Sequence, residues 1–141
     1  MIPIENIEDI IPHRPPFLFV DRIVALEGNR IVGEKIFPET SDFFRGHYPG
    51  NPITPGVILC ETVFQTAAAL ILKLFPLEKG TTPVLARIEN ARFKSIVKPN
   101  EILRIEVTCG EKMGKFFMME GNVFKEGNVL ALNTKFSLAL A

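Results

Sequence analysis

The stretch FFRGHYPGNPITPGVILCETVFQTAAALILKL, residues 43–74, contains the two features around which the rest of the chain is organised. Its first half is a loop rich in Gly and Pro that contains His47, and its second half is a long apolar run that contains Glu61. Pro55 predicts the start of a helix, because a proline in the first helical turn lacks only an N–H that has no helical partner. Thr54 is predicted to be the N-cap, since its hydroxyl can accept a hydrogen bond from an orphan backbone N–H.

The helix predicted for this run is apolar on nearly every side, which is typical of a helix buried in a protein core. Its polar residues Glu61, Gln65 and Lys73 are too few to form a solvated face. A membrane span needs about 20 mostly apolar residues, and these three side chains interrupt the run. We therefore expect the core helix of a soluble protein, ending before Pro76.

The remainder of the chain has mostly strand-like patterns, apart from residues 4–10, where the spacing of isoleucines predicts two helical turns. Residues 17–26 and 31–37 are rich in β-formers and flank a hairpin-like turn. Four longer strand-like segments, the first expected to be bent or bulged, cover residues 83–99, 101–114, 115–127 and 128–141. Long antiparallel strands with one buried helix predict an α+β fold, in which a curled antiparallel sheet wraps the long central helix. We expect residues 1–141 to form a single domain.

The composition and charge of the chain exclude several classes of protein. Sixteen Lys and Arg balance sixteen Asp and Glu, and this net charge of zero argues against broad nucleic-acid binding. Hydrophobic residues make up 47% of the chain, which indicates a folded protein and some apolar surface hidden in an oligomer. Cys60 and Cys109 are too few for a disulfide framework and are expected to lie in the core. The N-terminal residues lack a basic region, so we expect no signal peptide and a cytoplasmic protein.

His47 and Glu61 are candidates for opposite roles in proton transfer. A neutral imidazole is the most available base near neutral pH, whereas burial raises the pKa of a carboxyl group so that it holds a proton and acts as an acid. Such a pair suits elimination of water, in which a base removes the proton α to a carbonyl and an acid protonates the departing hydroxyl. The N–H of Gly56 lies at the positive end of the helix and can hold the carbonyl oxygen. Glycine at that position also allows a ligand to approach closely.

Plainer structural roles remain open for the same residues. A lone His in a loop of Gly and Pro is more often structural than catalytic, and a lone Glu in an apolar helix can pair with an Arg across a dimer interface. His47 and Glu61 also need not meet within one chain, because a dimer can bring the His of one protomer to the Glu of its partner.

The order of these residues strongly resembles the (3R)-hydroxyacyl-ACP dehydratases of the FabZ type, where ACP is the acyl carrier protein. The similar residues are His47 and the YPGNP that follows it, then Pro55-Gly56, Glu61 and Gln65. The resemblance extends to PHRPPFLFVDR upstream and to ARFKSIVKP downstream, and so covers essentially the whole chain.

The resemblance implies a hot-dog fold, in which the sheet wraps the helix, and homodimers whose sheets join edge to edge. Such dimers usually assemble as a trimer of dimers. Their active sites lie at the dimer interface, with the His from one subunit and the Glu from the other. The implied substrate is a 3-hydroxyacyl chain on the phosphopantetheine arm of ACP, and the products are the trans-2-enoyl thioester and water. The resemblance implies no metal, no redox cofactor, no nucleic acid and no membrane.

Residue by residue, the resemblance implies that His47 takes the C2 proton and that Glu61 helps the C3 hydroxyl to leave. Gly56 would donate its N–H to the thioester carbonyl, and Gln65 would orient the carboxyl of Glu61. Phe64 replaces a small residue that is usual in the family, so it is expected to narrow or reshape the acyl tunnel. Glu rather than Asp at position 61 favours this type over the related FabA-type dehydratase/isomerase.

Other assignments in the chain are less specific. His13 is interpreted as structural, because nothing near it in sequence completes a catalytic set, and Val84 or a neighbour replaces a gating Tyr. Four basic residues could contact the acidic carrier protein or form an ordinary solvated strand face; they are Arg87, Arg92, Lys94 and Lys98. The alternative functions are a hot-dog acyl thioesterase and, less favoured, a non-catalytic acyl-binding domain.

Overall fold

One long helix and a single sheet make up the fold. The computed structural model describes residues 5–141. Within those residues the helix α1 spans Gly56–Leu74 and is accompanied by seven strands. The strands are β1 (Glu5–Asn6), β2 (Arg22–Glu27), β3 (Arg30–Ile36), β4 (Pro83–Phe93), β5 (Ile102–Met113), β6 (Phe116–Lys125) and β7 (Val129–Leu140). Short 3-10 helices cover Ile7–Asp9 and Asp42–Arg45.

The strands pair antiparallel throughout the sheet, in the order β1-β2-β3-β5-β6-β7-β4. Strands β5, β6 and β7 follow one another through short turns, so neighbours in sequence are neighbours in space. The chain leaves β3, forms α1, and returns as β4 at the far edge of the sheet beside β7. Because α1 contacts β3 to β7, it lies against the middle of the sheet. The predicted α+β fold with one central helix is confirmed.

The core lies between α1 and the sheet. Residues 62–71 of α1 are all buried, and β5 alternates buried Leu103, Ile105 and Val107 with more exposed residues. By length and composition α1 would pass as a membrane span, but 67% of its apolar window is buried inside this fold. Its predicted place as a core helix is therefore confirmed. Both cysteines are buried and free, also as predicted.

Strand β4 forms one edge of the sheet, and within residues 5–141 it pairs only with β7. Its register shifts twice, between Leu85 and Arg87 and between Ile88 and Asn90, so the predicted bulges are present. Four large apolar side chains on β4 are between 41% and 52% exposed: Val84, Leu85, Ile88 and Phe93. The outer side of an edge strand has unpaired backbone N–H and C=O groups. With exposed apolar side chains, such a strand is a template for pairing with another chain.

The helix predicted for residues 4–10 is wrong for the residues that the structure describes. Strand β1 and a single 3-10 turn replace it, and Ile4 lies outside the described residues. The side chain of Asn6 accepts a hydrogen bond from the N–H of Glu8 at 3.1 Å, which caps the turn. Ile7 and Ile11 reach the core from this short turn, so two helical turns are not needed to bury the isoleucines.

Two predicted strands are shorter than expected. Residues 17–21 are not part of β2, because the backbone of Phe17 and Phe19 bonds to the side chain of Gln65 instead of a neighbouring strand. Strand β4 ends at Phe93, because the chain then turns toward the loop before α1, where Val97 O accepts the N–H of Thr54 at 2.8 Å.

Gly121 gives a direct test of packing between β6 and α1. A Cβ at Gly121 would lie 2.3 Å from Cγ1 of Val63, so Gly121→Ala must displace a fully buried helix residue. We expect the free energy of unfolding to fall by about 1–3 kcal/mol, measured by denaturant titration. Gly46→Ala is the matched control, since nothing lies within 4 Å of its Cβ position and its φ of −107° suits any residue. Equal stability of both variants would contradict the close contact of β6 and α1.

Candidate active site

Glu61 lies in the second turn of α1, where its side chain reaches a cavity beside the first residues of β4. Gln65, one turn further along, donates from Nε2 to Oε2 of Glu61 at 2.8 Å. Burial raises the pKa of the Glu61 carboxyl, and the hydrogen bond from Gln65 lowers it by less, so the net pKa is raised. The carboxyl group therefore retains a proton at a higher pH than an exposed glutamate would.

Gln65 connects Glu61 to the segment that precedes β2. Its amide is fully buried, and Nε2 also donates to the carbonyl of Phe17 at 3.1 Å. Its Oε1 accepts the N–H of Phe19 at 2.8 Å. Because these bonds fix the amide on both sides, the rotamer that presents Nε2 to Glu61 is held in place. The role of Gln65 in orienting the carboxyl for catalysis stays a prediction.

The raised pKa of Glu61 implies a pH-dependent cost to stability. When the pKa of a carboxyl group is higher in the folded state than in the unfolded state, the group stabilises the folded protein fully below its unfolded pKa. This stabilisation is lost as the pH rises through the folded pKa. We expect Glu61→Gln, which removes this ionisation, to melt at a higher temperature than wild type at about pH 8. The gain should shrink as the pH falls toward about 3, where the wild-type carboxyl is protonated in both states. A gain independent of pH in thermal melts would contradict the shifted pKa.

His47 is placed by a tight loop that follows the second 3-10 helix. Its N–H donates to Phe43 O at 3.0 Å, and its carbonyl accepts the N–H of Ile53 at 2.9 Å. The ring atom Nδ1 lies 2.8 Å from Ile53 O. A carbonyl oxygen only accepts, so this bond requires a proton on Nδ1, and in the neutral ring it leaves the lone pair on Nε2. The ring stacks on Tyr48 with centroids 4.2 Å apart, which fixes its plane.

Gly56 is the first residue of α1, and the predicted cap at Thr54 is wrong. The N-cap position is Pro55, which makes no side-chain bond, while the hydroxyl of Thr54 is buried without a partner among residues 5–141. Ile58 and Leu59 donate to Pro55 O at 3.0 and 3.2 Å, as expected for the first helical bonds. The N–H groups ahead of them have no helical acceptor, so they are available to a ligand.

The side chain of Phe93 explains why glycine is needed at position 56. A Cβ at Gly56 would lie 2.8 Å from Cε1 of Phe93, and the ring therefore occupies the space beside this residue. The sequence predicts that a ligand approaches Gly56 closely, and the structure places the ring of Phe93 on one side of it. A ligand can approach Gly56 closely only on the sides that the ring of Phe93 does not cover.

The cavity beside Glu61 has a volume of about 210 Å³. Phe64 contributes to its wall and packs on Phe136 with ring centroids 4.9 Å apart, so it is held rigidly. Val84 also contributes, from the edge strand. His47 is not among the lining residues that the structure describes. The structure thus places Glu61, Gln65 and Phe64 together and does not bring His47 into the same cavity of one chain.

His13 is a lining residue that the sequence analysis missed. We interpreted it as structural, yet it shares the cavity with Glu61 although 48 positions separate them in sequence. Gln65 forms hydrogen bonds with Phe17 and Phe19, and these bonds hold the segment that contains His13 against this part of α1. The only sequence signal was its position in the upstream motif PHRPPF.

Comparison with known proteins gives a consistent result over most of the chain. A family model described as FabA-like domain matches residues 11–133. The 3-hydroxyacyl-(acyl-carrier-protein) dehydratase FabZ of Chloroflexus aggregans is 50% identical over 108 residues, which are 76% of this chain and 74% of that protein. The dehydratase of the same name from Halalkalibacterium halodurans is 43% identical over 136 residues, which are 96% of this chain and 91% of that protein.

Solved structures support the hot-dog fold. A hypothetical thioesterase from Streptococcus pneumoniae, crystallised with coenzyme A, superposes with a TM-score of 0.67. It covers 84% of either chain at 13% identity. At this identity the likeness shows the fold alone, and the predicted hot-dog fold is confirmed.

Proposed function

Because this chain belongs to the family of FabZ-type 3-hydroxyacyl-ACP dehydratases, we propose that it eliminates water from a (3R)-hydroxyacyl thioester carried by ACP. The product is the trans-2-enoyl thioester. The observation that carries the proposal is that the two candidate groups favour opposite protonation. Burial raises the pKa of Glu61, which favours its protonated form, and the bond from Nδ1 of His47 to Ile53 O leaves the lone pair of a neutral ring on Nε2.

The chemistry follows from these protonation states. Nε2 of His47 removes a proton from C2, and the electron pair of that C–H bond forms the C2–C3 double bond. The C3–O bond breaks as Glu61 gives its proton to the departing oxygen. The N–H of Gly56, at the positive end of α1, holds the thioester carbonyl oxygen while negative charge develops there.

A homodimer assembled through β4 would complete the site. Two copies of β4 that pair antiparallel across a two-fold axis bring the first residues of one strand beside the last residues of the other. In this chain Pro83 and Val84 line the cavity of Glu61, and Phe93 at the opposite end packs on Gly56. The cavity of one protomer would then lie beside the helix start of its partner, and His47 of the partner would complete it.

Further assembly and carrier binding are finer parts of the proposal. A dimer or a trimer of dimers would have two or six times the chain mass of 15.8 kDa in native mass measurements. Arg92 and Lys94 flank Phe93, make no ion pair within residues 5–141, and are exposed. Positive charge at this end of β4 would draw an acidic carrier protein toward the helix start.

Crotonyl-thioester hydration, the reverse reaction, tests the proposed chemistry. Wild-type protein is expected to bleach the enoyl absorbance without releasing free thiol, since hydration leaves the thioester bond intact. Release of thiol with an unchanged enoyl band would instead identify a thioesterase. Absence of both reactions, including with longer chains on ACP, would favour a non-catalytic acyl-binding domain.

A further inference from the structure

The cavity beside Glu61 contains a second titratable side chain, that of His13. Most of the remaining wall is apolar, formed by residues of α1, the start of β4 and the end of β7. Thr82 is the other polar residue of the wall, and its backbone N–H and carbonyl are already bonded to Ala141. Among the lining residues that the structure describes, Glu61 and His13 are the ones with a titratable side chain.

The ring of His13 has an unused hydrogen-bonding atom. Its Nδ1 is buried and has no partner among residues 5–141. Burial lowers the pKa of His13, which keeps the ring neutral near neutral pH. A neutral imidazole has one N–H donor and one lone pair. Buried polar atoms normally have a partner, so a bound group that supplies one to this ring would be favoured.

The position of His13 is fixed by its neighbours. Arg14 donates to the carbonyl oxygens of His13 at 2.7 Å, of Ile11 at 2.9 Å and of Glu8 at 2.8 Å. On the other side of His13, Phe17 is bonded to Gln65, which also holds Glu61. The segment that carries His13 is thus attached to the helix that carries the acid, and such attachment preorganises a site.

We propose that His13 is a second hydrogen-bonding partner, besides Glu61, for the oxygen that leaves C3. This role rests on the proposed dehydratase function. When the C3–O bond breaks, its electron pair goes to the oxygen, which takes the proton of Glu61 and becomes water. The new water is hydrogen-bonded by the Glu61 carboxylate and by the ring of His13. In the reverse direction the same pair orients the water that adds to C3.

A change of leaving group tests this role. Dehydration of 3-hydroxybutyryl thioester requires a proton for the departing oxygen, whereas elimination from 3-chlorobutyryl thioester releases chloride and leaves the C2 proton on His47. We expect His13→Leu to lower kcat for the hydroxy substrate about tenfold, the size of one lost hydrogen bond, with little change in KM. Its rate on the chloro substrate should stay within about twofold of wild type. His13→Gln, which keeps a donor and an acceptor, should recover much of the lost rate.

The outcomes separate the alternatives. Equal losses on both substrates would overturn the proposal, because a structural role disturbs the base and the acid alike. An unchanged rate of His13→Leu on the hydroxy substrate would also overturn it. If the wild type does not eliminate chloride, the two variants are compared on the hydroxy substrate alone. Equal rates of His13→Leu and His13→Gln would then reject the role of His13, and a faster rate of His13→Gln would support it. If wild type neither dehydrates nor hydrates, the proposed function itself fails, which is a distinct result.

Discussion

Replacing His47 with Gln is expected to lower kcat for dehydration by about 10²–10⁴-fold, the range for loss of a positioned general base. The amide of Gln cannot take a proton from carbon at neutral pH, so the effect should appear in kcat more than in KM. The base needs a free lone pair, and in a neutral ring the bond from Nδ1 to Ile53 O leaves that lone pair on Nε2. Enoyl absorbance recorded with saturating thioester measures the loss.

The fold should survive this change. The backbone bonds of His47 to Phe43 and Ile53 do not involve its ring, and the ring itself is half-buried. Circular dichroism and thermal melting of His47→Gln should therefore resemble wild type. A folded variant that retains its rate would remove His47 from the reaction and leave the loop with a structural role only.

Much of the fold was predictable because its signals are local. The helix was recognised from an apolar run whose few polar residues cannot form a solvated face, and its start from Pro55. The four strands after α1 were recognised from alternation, which depends on the pleat of each strand and not on its neighbours. Their order in the sheet does not follow from such patterns, and the position of β4 at the edge was not predicted.

The errors arose where distant contacts override local preference. Residues 17–21 have a strand-like composition, yet the backbone of Phe17 and Phe19 bonds to the side chain of Gln65, which no local pattern reveals. Thr54 is a good N-cap by residue type, but its backbone is held by Val97 and its side chain faces the interior. The contact of Phe93 with Gly56 likewise joins residues 37 positions apart, so it could not be read from either segment.

The candidate site residues stay predictions, and their arrangement in space did not follow from the sequence. His47 and Glu61 were proposed from residue type and order, and such patterns do not show whether the two side chains meet within one chain or across a dimer. In one chain, the part that the structure describes gives Glu61 a cavity whose wall includes His13 and Val84 but not His47. The proposed site, which needs both groups, would combine residues of two protomers, and mixing two variants tests this.

Mixing two inactive variants is expected to restore activity if the sites are shared. In a dimer of His47→Gln with Glu61→Ala, one site would combine the intact His47 with the intact Glu61, and the other site would carry both changes. Random exchange of protomers makes half of the dimers mixed, so activity should rise to about a quarter of wild type from nearly none. The variants would be refolded or co-expressed together and assayed for crotonyl-thioester hydration, with each variant refolded alone as the control.

The size of the recovery decides between the two arrangements of the site. If each chain used its own His47 and Glu61, every protomer in the mixture would carry a damaged site, and the mixture would be as inactive as its components. The proposed pairing of β4 adds a second requirement, because a charge on its exposed apolar edge should prevent recovery. Ile88→Glu in both variants places a carboxylate at the middle of β4, where the two-fold axis would bring it against its own copy. Loss of recovery together with a native mass of one chain would link the shared site to this edge, and recovery that persists would require another interface.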